Sequence, residues 1–184
     1  SIFLKANKDL LILLKKFNLN FSNIKKYIEL TETKIIKLYN HKNNTFTCKD
    51  LKNRKEIRIP SITNYFLLYA DLKNELINKK IIKSLKSYNK SEKYIFSSIK
   101  PNHQSFEEKR YWRGPVWINC NWIIYQGLKN KDKLFSEFVK QKTIKIVEKK
   151  GFHEYYSCKS GKPMGANNFS WSAALYLDLV LTKC

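Results

Sequence analysis

The sequence predicts an all-α protein built from antiparallel helix pairs, with one short β-hairpin or extended arm. Two observations support this fold class. Apolar residues recur at helical spacing over most of the 184 residues, with lysines between them. The segments with this pattern are separated by Gly, Pro or Asn residues, which commonly begin or end helices. Only residues 40–59 show the shorter period of extended chain.

The first two predicted helices precede this extended region. The first ends at residues 18–20, where asparagines interrupt the apolar pattern. The second begins at Ser22, whose hydroxyl is expected to cap it, and keeps apolar residues on one side as far as Tyr39. Residues 45–47 and 57–59 then have the composition of extended chain, and they are expected to form a small hairpin or two extended arms.

Two further helices and a long loop occupy the middle of the chain. Pro60 and Ser61 are expected to open a third helix, which is apolar on most sides over residues 62–70 and should therefore be surrounded by other helices. A fourth helix is predicted over residues 75–85. Residues 87–110 show no clean period, and a loop of this length inside a compact domain is usually functional or disordered.

Three helices complete the predicted fold. The fifth is expected to start at Pro115, because proline at the first helical position loses no hydrogen bond, and to end at Gly127. The sixth covers residues 133–148 and stops at Gly151. The seventh covers residues 170–181 and follows a second irregular loop.

The chain is strongly basic, with a formal net charge of +21 from 36 Lys+Arg against 15 Asp+Glu. Such an excess can attract phosphate backbones or an anionic membrane surface. The basic residues are scattered along the whole chain instead of forming one tract with interleaved aromatics. We therefore expect no specific nucleic-acid partner, although a basic nucleic-acid-binding helical protein stays a less favoured alternative.

The cysteines and apolar runs predict a cytoplasmic protein without a metal, cofactor or membrane partner. The four cysteines form no Cys-x-x-Cys pair and have no histidine at zinc-finger spacing (Cys48, Cys120, Cys158 and Cys184). A disulfide framework is not expected in a lysine-rich chain of this size. No apolar run approaches the ~20 residues of a membrane-spanning helix. Since the chain begins at Ser1 and its only methionine is Met164, we expect a piece of a longer polypeptide.

Two segments concentrate residues suited to sugar chemistry: Tyr111-Trp112-Arg113-Gly114-Pro115-Val116-Trp117 and Gly151-Phe152-His153-Glu154-Tyr155-Tyr156. Flat aromatic faces pack on the C–H surfaces of sugars, and fixed polar groups bind the hydroxyls. A carboxylate between aromatic rings loses water and becomes a stronger base, which makes Glu154 a candidate general base. Aromatic clusters are also ordinary core, so composition alone leaves both interpretations open.

The order of these motifs resembles the six-hairpin α/α-toroid glycoside hydrolases of family 63 and their mannosylglycerate hydrolase-like relatives. The motifs that carry the resemblance are Pro60-Ser61-Ile62, the two segments above, Gly161, Gly165 and Phe169-Ser170-Trp171. The resemblance covers nearly the whole chain. It implies that residues 1–184 are the C-terminal part of a glycosidase (α/α)6 catalytic domain, a partial toroid of helix hairpins whose N-terminal part is missing.

The resemblance also implies roles for individual residues. Glu154 falls on the family's general base and would deprotonate the attacking water of an inverting reaction, whose two catalytic carboxyls stand about 6.5–9.5 Å apart. The sugar-binding subsite would be lined by Tyr111, Trp112, Arg113, Trp117 and Trp171. The implied substrate is a small α-glucoside or α-mannoside, or an oligosaccharide.

The sequence departs from the family pattern in ways that bear on activity. It has no Ser-Gly-x-Asp-Asn block, which carries the family's general acid, so the chain alone is expected to be inactive without the upstream half of the same domain. A non-catalytic carbohydrate-binding remnant is the alternative. Ser157-Cys158 stands where relatives commonly have Asp-Pro, and His153 stands where an aromatic is frequent. The pair Glu107-Glu108 is interpreted as solvated and not as a catalytic dyad.

Overall fold

The computed structural model describes residues 1–88 and 93–182. Within them the chain forms six α-helices, one 3₁₀ helix and three two-stranded antiparallel sheets. The chain divides into two compact units, Ser1–Arg58 with Asn64–Ser84 and Ile59–Thr63 with Leu85–Cys184. In the described residues we find no helix with the length and apolar character needed to cross a membrane.

The first unit begins with a helix pair and two small hairpins. Helix α1 (Ile2–Lys16) packs against α2 (Ser22–Ile36), and Leu4 is fully buried. The hairpins pair β1 (Tyr39–Asn40) with β2 (Thr45–Phe46), and β3 (Cys48–Lys49) with β4 (Glu56–Ile57). The chain continues through the 3₁₀ helix, Ile62–Leu68, and α3, Glu75–Tyr88.

Several boundaries predicted for this part of the chain are wrong. Ser22 is the first helical residue and not the cap, because Phe21 occupies the cap position and the Ser22 hydroxyl donates to Oδ1 of Asn20 at 2.9 Å. Tyr39 leaves the second helix and pairs with Phe46, so two hairpins replace the single one expected. The third predicted helix is 3₁₀ instead of α.

The second unit holds three longer helices and one hairpin. These are α4 (Ile118–Leu128), α5 (Lys133–Lys150), β5 (His153–Tyr156), β6 (Pro163–Asn167) and α6 (Ser170–Leu181). Helix α4 packs against both α5 and α6, and Ile124, Leu128 and Val139 are fully buried. Asp132 caps α5 by accepting a hydrogen bond from the Phe135 N–H at 3.1 Å.

The fifth predicted helix begins and ends later than expected. It begins at Ile118 and not at Pro115, because the intervening Val116 forms β-bridges with Ser97 and Tyr156. Gly127 lies inside the helix, which ends at Leu128. The predicted end of the sixth helix at Gly151 is confirmed, since this residue has φ +82° and follows the last helical residue.

Two predictions fall partly on residues that the structure does not describe. The long loop predicted over residues 87–110 starts too early, because α3 continues to Tyr88. Residues 89–92 lie outside the described residues, and the part from 93 onward contains only isolated bridges. Cys48 is exposed while Cys120 and Cys158 are buried, and no disulfide joins any of them. Cys184 lies outside the described residues.

Candidate active site

Glu154 lies on a β-hairpin whose start is fixed by a buried tyrosine. Strand β5 follows directly on the Gly151 turn that ends α5, and the Tyr156 hydroxyl donates to the Gly151 carbonyl at 2.6 Å. Tyr156 is fully buried. His153 pairs with Asn167 and Tyr155 pairs with Met164, so β5 advances by two residues where β6 advances by three. One extra β6 residue therefore stands opposite Glu154. Such a β-bulge bends the strand and redirects side chains.

Both oxygens of the Glu154 carboxylate accept hydrogen bonds. Oε1 accepts from the Tyr111 hydroxyl at 2.7 Å, and Oε2 accepts from the Ala166 backbone N–H at 3.1 Å. Each oxygen has a further lone pair for another donor. The bond to Glu154 raises the pKa of the Tyr111 phenol above its usual 10.0, because the carboxylate favours the protonated hydroxyl.

Four aromatic rings form one cluster, which contacts this carboxylate through the Tyr111 hydroxyl. The Trp112 ring stacks on Trp117 with centroids 4.1 Å apart and planes at 10°. Tyr155 packs on Trp117 at 4.8 Å, and Tyr111 meets Trp117 edge-on at the same centroid distance. Trp117 is only 2% exposed, whereas Trp112 is 44% and Tyr111 47% exposed. The cluster therefore presents Trp112 and Tyr111 to solvent and keeps Trp117 as its buried centre.

Backbone pairing brings the two aromatic motifs together. Val116 donates its N–H to the Tyr156 carbonyl at 2.8 Å, and Tyr156 returns a bond to the Val116 carbonyl at 3.0 Å. In the first motif, Trp117 Nε1 donates to the Tyr111 carbonyl at 3.0 Å. The loop that carries Tyr111 is therefore fixed beside the strand that carries Glu154.

Arg113 and Glu107 lie in the loop between the β-bridge residues Ile99 and Val116, and both have partners within that loop. Arg113 Nε donates to the Ser105 carbonyl at 3.1 Å, and Nη1 pairs with Oε1 of Glu107 at 2.9 Å. Glu107 also pairs with Arg110 at 3.2 Å. Both carboxylates of Glu107-Glu108 keep solvent-accessible surface, with side-chain exposures of 44% and 29%, and Glu108 also contacts the Glu154 hairpin through the Ser157 hydroxyl and Lys159.

Trp171 lies in the first turn of α6 and does not join the ring cluster in the described residues. It is 47% exposed, and its indole contacts Phe169 at a centroid distance of 6.4 Å. The helix start is nevertheless tied to β5, because the Ser172 hydroxyl donates to the His153 carbonyl at 2.7 Å. Trp171 thus belongs to an element attached to the strand that bears Glu154.

The described residues offer no group of three or more His, Cys, Asp or Glu side chains placed to hold a metal ion. The site contains a carboxylate held on both oxygens, a tyrosine hydroxyl and exposed aromatic faces. Such a carboxylate can accept a proton from a water or a hydroxyl within hydrogen-bond distance.

The sequence matches the model of the mannosylglycerate hydrolase MGH1-like glycoside hydrolase domain over residues 1–172. The chain belongs to this family. It is 28% identical over 178 residues to mannosylglycerate hydrolase from Thermus thermophilus, covering 96% of this chain and 43% of that protein. It is 30% identical over 89 residues to glucosylglycerate hydrolase from Mycolicibacterium hassiacum, covering 46% of this chain and 19% of that protein. The chain thus spans less than half the length of either relative.

The likeness extends to three dimensions. The mannosylglycerate hydrolase-like chain superimposes on the GH63 mannosylglycerate hydrolase from Thermus thermophilus in complex with glucose, with a TM-score of 0.91 and 27% identity. The superposition covers 96% of this chain and 46% of that structure. Because the GH63 structures are α/α toroids, the predicted fold class is confirmed.

The structure brings together most of the site residues that the sequence predicts. Glu154, Tyr111, Trp112 and Trp117 lie together, and Arg113 lies in the same loop as the aromatic residues. Sequence reasoning missed Tyr155 as a cluster member and the Ala166 N–H as a donor to Glu154. An isolated glycine inside a strand is a sequence signal for a bulge. A backbone donor such as the Ala166 N–H leaves no signal in the sequence.

Ser157 and His153, where the sequence departs from the pattern expected from the resemblance, both have partners in the hairpin. Ser157 is buried, and its Oγ accepts hydrogen bonds from the Lys159 N–H at 3.2 Å and the Ser160 N–H at 3.0 Å. The same hydroxyl donates to Glu108, so the turn between β5 and β6 is closed by a serine. The His153 ring packs edge-on to Tyr156 at 6.2 Å.

Proposed function

We propose that the polypeptide containing this chain is an inverting glycoside hydrolase that cleaves an α-mannosidic or α-glucosidic bond in a small glycoside, with Glu154 as general base. One observation carries the proposal: the Glu154 carboxylate is fixed on both oxygens beside two exposed aromatic rings, Trp112 and Tyr111. Family membership supports glycoside hydrolysis as the reaction class.

The base role follows from the hydrogen bonds at the carboxylate. Tyr111 and the Ala166 N–H each occupy one acceptor position on Glu154, and the remaining lone pairs are available to a water. In an inverting reaction that water gives a proton to the base while its oxygen attacks the anomeric carbon. A carboxylate that is already oriented loses little freedom when the water binds.

The exposed rings are suited to bind the sugar. Trp112 and Tyr111 offer apolar surface for the C–H face of a pyranose, and we assign the same role to Trp171. Trp117 is 2% exposed, so we assign it the support of Trp112 instead of direct sugar contact. Arg113, which fixes the loop through Ser105 and Glu107, contributes its exposed donors to sugar hydroxyls.

The general acid is assigned to a part of the protein outside this chain. The family's Ser-Gly-x-Asp-Asn block is absent from the sequence, and the chain spans 43% of the Thermus thermophilus relative. Cleavage needs an acid to protonate the leaving oxygen. We therefore expect residues 1–184 alone to be inactive.

Exposed apolar side chains support the need for further protein. In the first unit Phe3, Ile12 and Phe17 are 63%, 64% and 65% exposed, and in the second unit Leu181 is 75% exposed. Large exposed apolar surface favours association. The isolated chain should therefore bind hydrophobic dyes and aggregate, and size-exclusion chromatography with an activity assay tests this. A soluble, monomeric and active preparation of residues 1–184 would contradict the proposal.

The names of the relatives suggest which substrates to test first. They are a mannosylglycerate hydrolase and a glucosylglycerate hydrolase, and both names denote glycosides of glycerate. We therefore propose α-mannosyl and α-glucosyl glycerate as the first substrates. The experiment uses the full-length protein, meaning the whole polypeptide encoded by the gene that contains this chain.

The test of the base is Glu154→Gln in the full-length protein. General acid–base catalysis typically contributes about 10²–10⁴-fold, so kcat should fall by a factor in that range while the melting temperature stays near the wild-type value. Glu148→Gln is the matched control, because Glu148 is an exposed glutamate on α5 that bonds Tyr176. Wild-type turnover by Glu154→Gln on a substrate that the protein hydrolyses would remove Glu154 from the mechanism.

A non-catalytic carbohydrate-binding protein is the second candidate. The observation in its favour is that the ring cluster is present while the acid block is absent from this sequence. Isothermal titration of the full-length protein with both glycerate glycosides separates the two functions. Binding of a glycoside without formation of hydrolysis products favours the non-catalytic carbohydrate-binding protein, whereas hydrolysis of either glycoside excludes it.

A further inference from the structure

We propose that Gly165 is a positioning residue for Glu154, because only a residue without a side chain lets strand β6 approach the carboxylate closely enough to bond it. The inference rests on the proposed function, in which Glu154 is the general base. It assigns a catalytic consequence to the bulge in the β5–β6 hairpin.

Gly165 lies very close to the Glu154 carboxylate. A Cβ atom at this position would lie 2.6 Å from Oε2 of Glu154 and 2.8 Å from its Cβ. It would also lie 2.7 Å from Cε1 of Tyr155, a member of the ring cluster. These separations are well inside van der Waals contact, so any side chain must displace Glu154, Tyr155 or the strand itself.

The backbone at Gly165 has a conformation that favours glycine. Gly165 has φ +73°, in the left-handed region that glycine adopts at little cost. It lies between Met164, which pairs with Tyr155, and Ala166, whose N–H donates to Oε2 of Glu154 at 3.1 Å. The left-handed turn at Gly165 thus directs the next N–H of the chain toward the carboxylate instead of along the ladder.

The position of Gly165 affects the reaction rate through the hydrogen bonds of Glu154. The Ala166 N–H and the Tyr111 hydroxyl together fix the direction of the carboxylate. A methyl group on Gly165 would push Oε2 away from this donor. A shift of about 1 Å in a reacting group can cost about 10²-fold in rate, whereas the sugar-binding rings would be less affected.

The same hairpin contains a matched control. Gly161 has φ +70°, nearly the same as Gly165, so an alanine at either position carries a similar backbone strain. A Cβ on Gly161 would meet the ring of Tyr94, 2.6 Å from Cζ, and not Glu154. A difference in activity between the two alanine variants therefore reports the contact with Glu154.

The experiment compares Gly165→Ala and Gly161→Ala in the full-length protein with α-mannosylglycerate. Gly165→Ala should lower kcat by about 10- to 100-fold with KM within about twofold, which is the pattern of a disturbed transition-state interaction. Gly161→Ala should keep kcat within about twofold at a comparable loss of melting temperature. Gly165→Asn should be impaired as Gly165→Ala is, since Asn tolerates left-handed backbone but still carries a Cβ.

A second measurement does not depend on turnover. Hydrogen–deuterium exchange of the Ala166 amide should become faster in Gly165→Ala and in Glu154→Ala, and stay unchanged in Gly161→Ala. Equal kcat and equal Ala166 exchange in the two glycine variants would overturn the positioning role. A fully active Glu154→Gln variant would instead overturn the proposed function, so the two failures are distinguishable.

Discussion

Replacing Trp117 tests whether the ring cluster has a buried support and an exposed binding face. Trp117 is 2% exposed, stacks with Trp112 and donates its indole N–H to the Tyr111 carbonyl. Truncation of a buried tryptophan to alanine typically costs about 3–5 kcal/mol of stability. Trp117→Phe keeps one aromatic ring but loses the indole N–H donor, and a hydrogen bond contributes a net stability of about 0.5–1.5 kcal/mol. The stability of this variant should therefore lie between those of the wild type and Trp117→Ala.

Trp112→Ala is the comparison, because Trp112 is 44% exposed and its stacking partner is the buried indole. An aromatic pair contributes about 0.5–1.5 kcal/mol beyond area burial, so the stability loss should be small. Its main effect should be a higher KM, since the exposed face is assigned to the sugar. Urea unfolding of the full-length proteins and steady-state kinetics measure both quantities. A Trp117→Ala variant that unfolds like wild type and changes only KM would contradict the assignment of Trp117 as the buried support.

Three further predictions concern single side chains. Tyr111→Phe should lower kcat, because it removes the hydrogen-bond donor to Glu154. The wild type should lose activity above pH 10, where the raised pKa of the Tyr111 phenol is reached and the donor is deprotonated, and Tyr111→Phe should not show this loss. A pH–rate profile of the variant with an unchanged alkaline limb would contradict this. Ser172→Ala should destabilise by about 1 kcal/mol, because it removes the bond from α6 to the strand of Glu154, and thermal unfolding checks this value. Burial raises the pKa of Cys120 to about 12, so a thiol reagent at pH 8 should modify Cys48 in the folded protein and Cys120 only after unfolding, as mass spectrometry of labelled peptides would show.

Local signals predicted the helices well, and tertiary pairing moved some of their ends. The Gly151 stop is a local signal, because glycine adopts a positive φ at little cost and a residue with φ +82° does not continue the helix. Pro115 looked like a helix start for an equally local reason. There the backbone pairing of Val116 with Ser97 and Tyr156 keeps the chain extended until Ile118. The helix over residues 62–68 was predicted in its place but not in its 3₁₀ type, and the second small hairpin was missed, because segments this short have little periodicity.

The candidate site was predictable in its residues and not in its bonds. The aromatic motifs and Glu154 are conspicuous in the sequence, and the structure brings four of the residues together. The Tyr111–Glu154 bond joins residues 43 positions apart, and this distance in sequence hides it from any local pattern. Gly165 was noticed only as a motif residue, since its effect depends on the bulge opposite Glu154.

The base role of Glu154 is tested most directly by chemical rescue of the Glu154→Ala variant in the full-length protein. Azide is an anion that needs no base to attack the anomeric carbon, so it can replace the activated water while the acid still protonates the leaving oxygen. With an α-mannoside we predict that azide restores cleavage and that NMR identifies the β-glycosyl azide as product. No restoration by azide, or formation of the α-azide, would contradict Glu154 as the base of an inverting hydrolase.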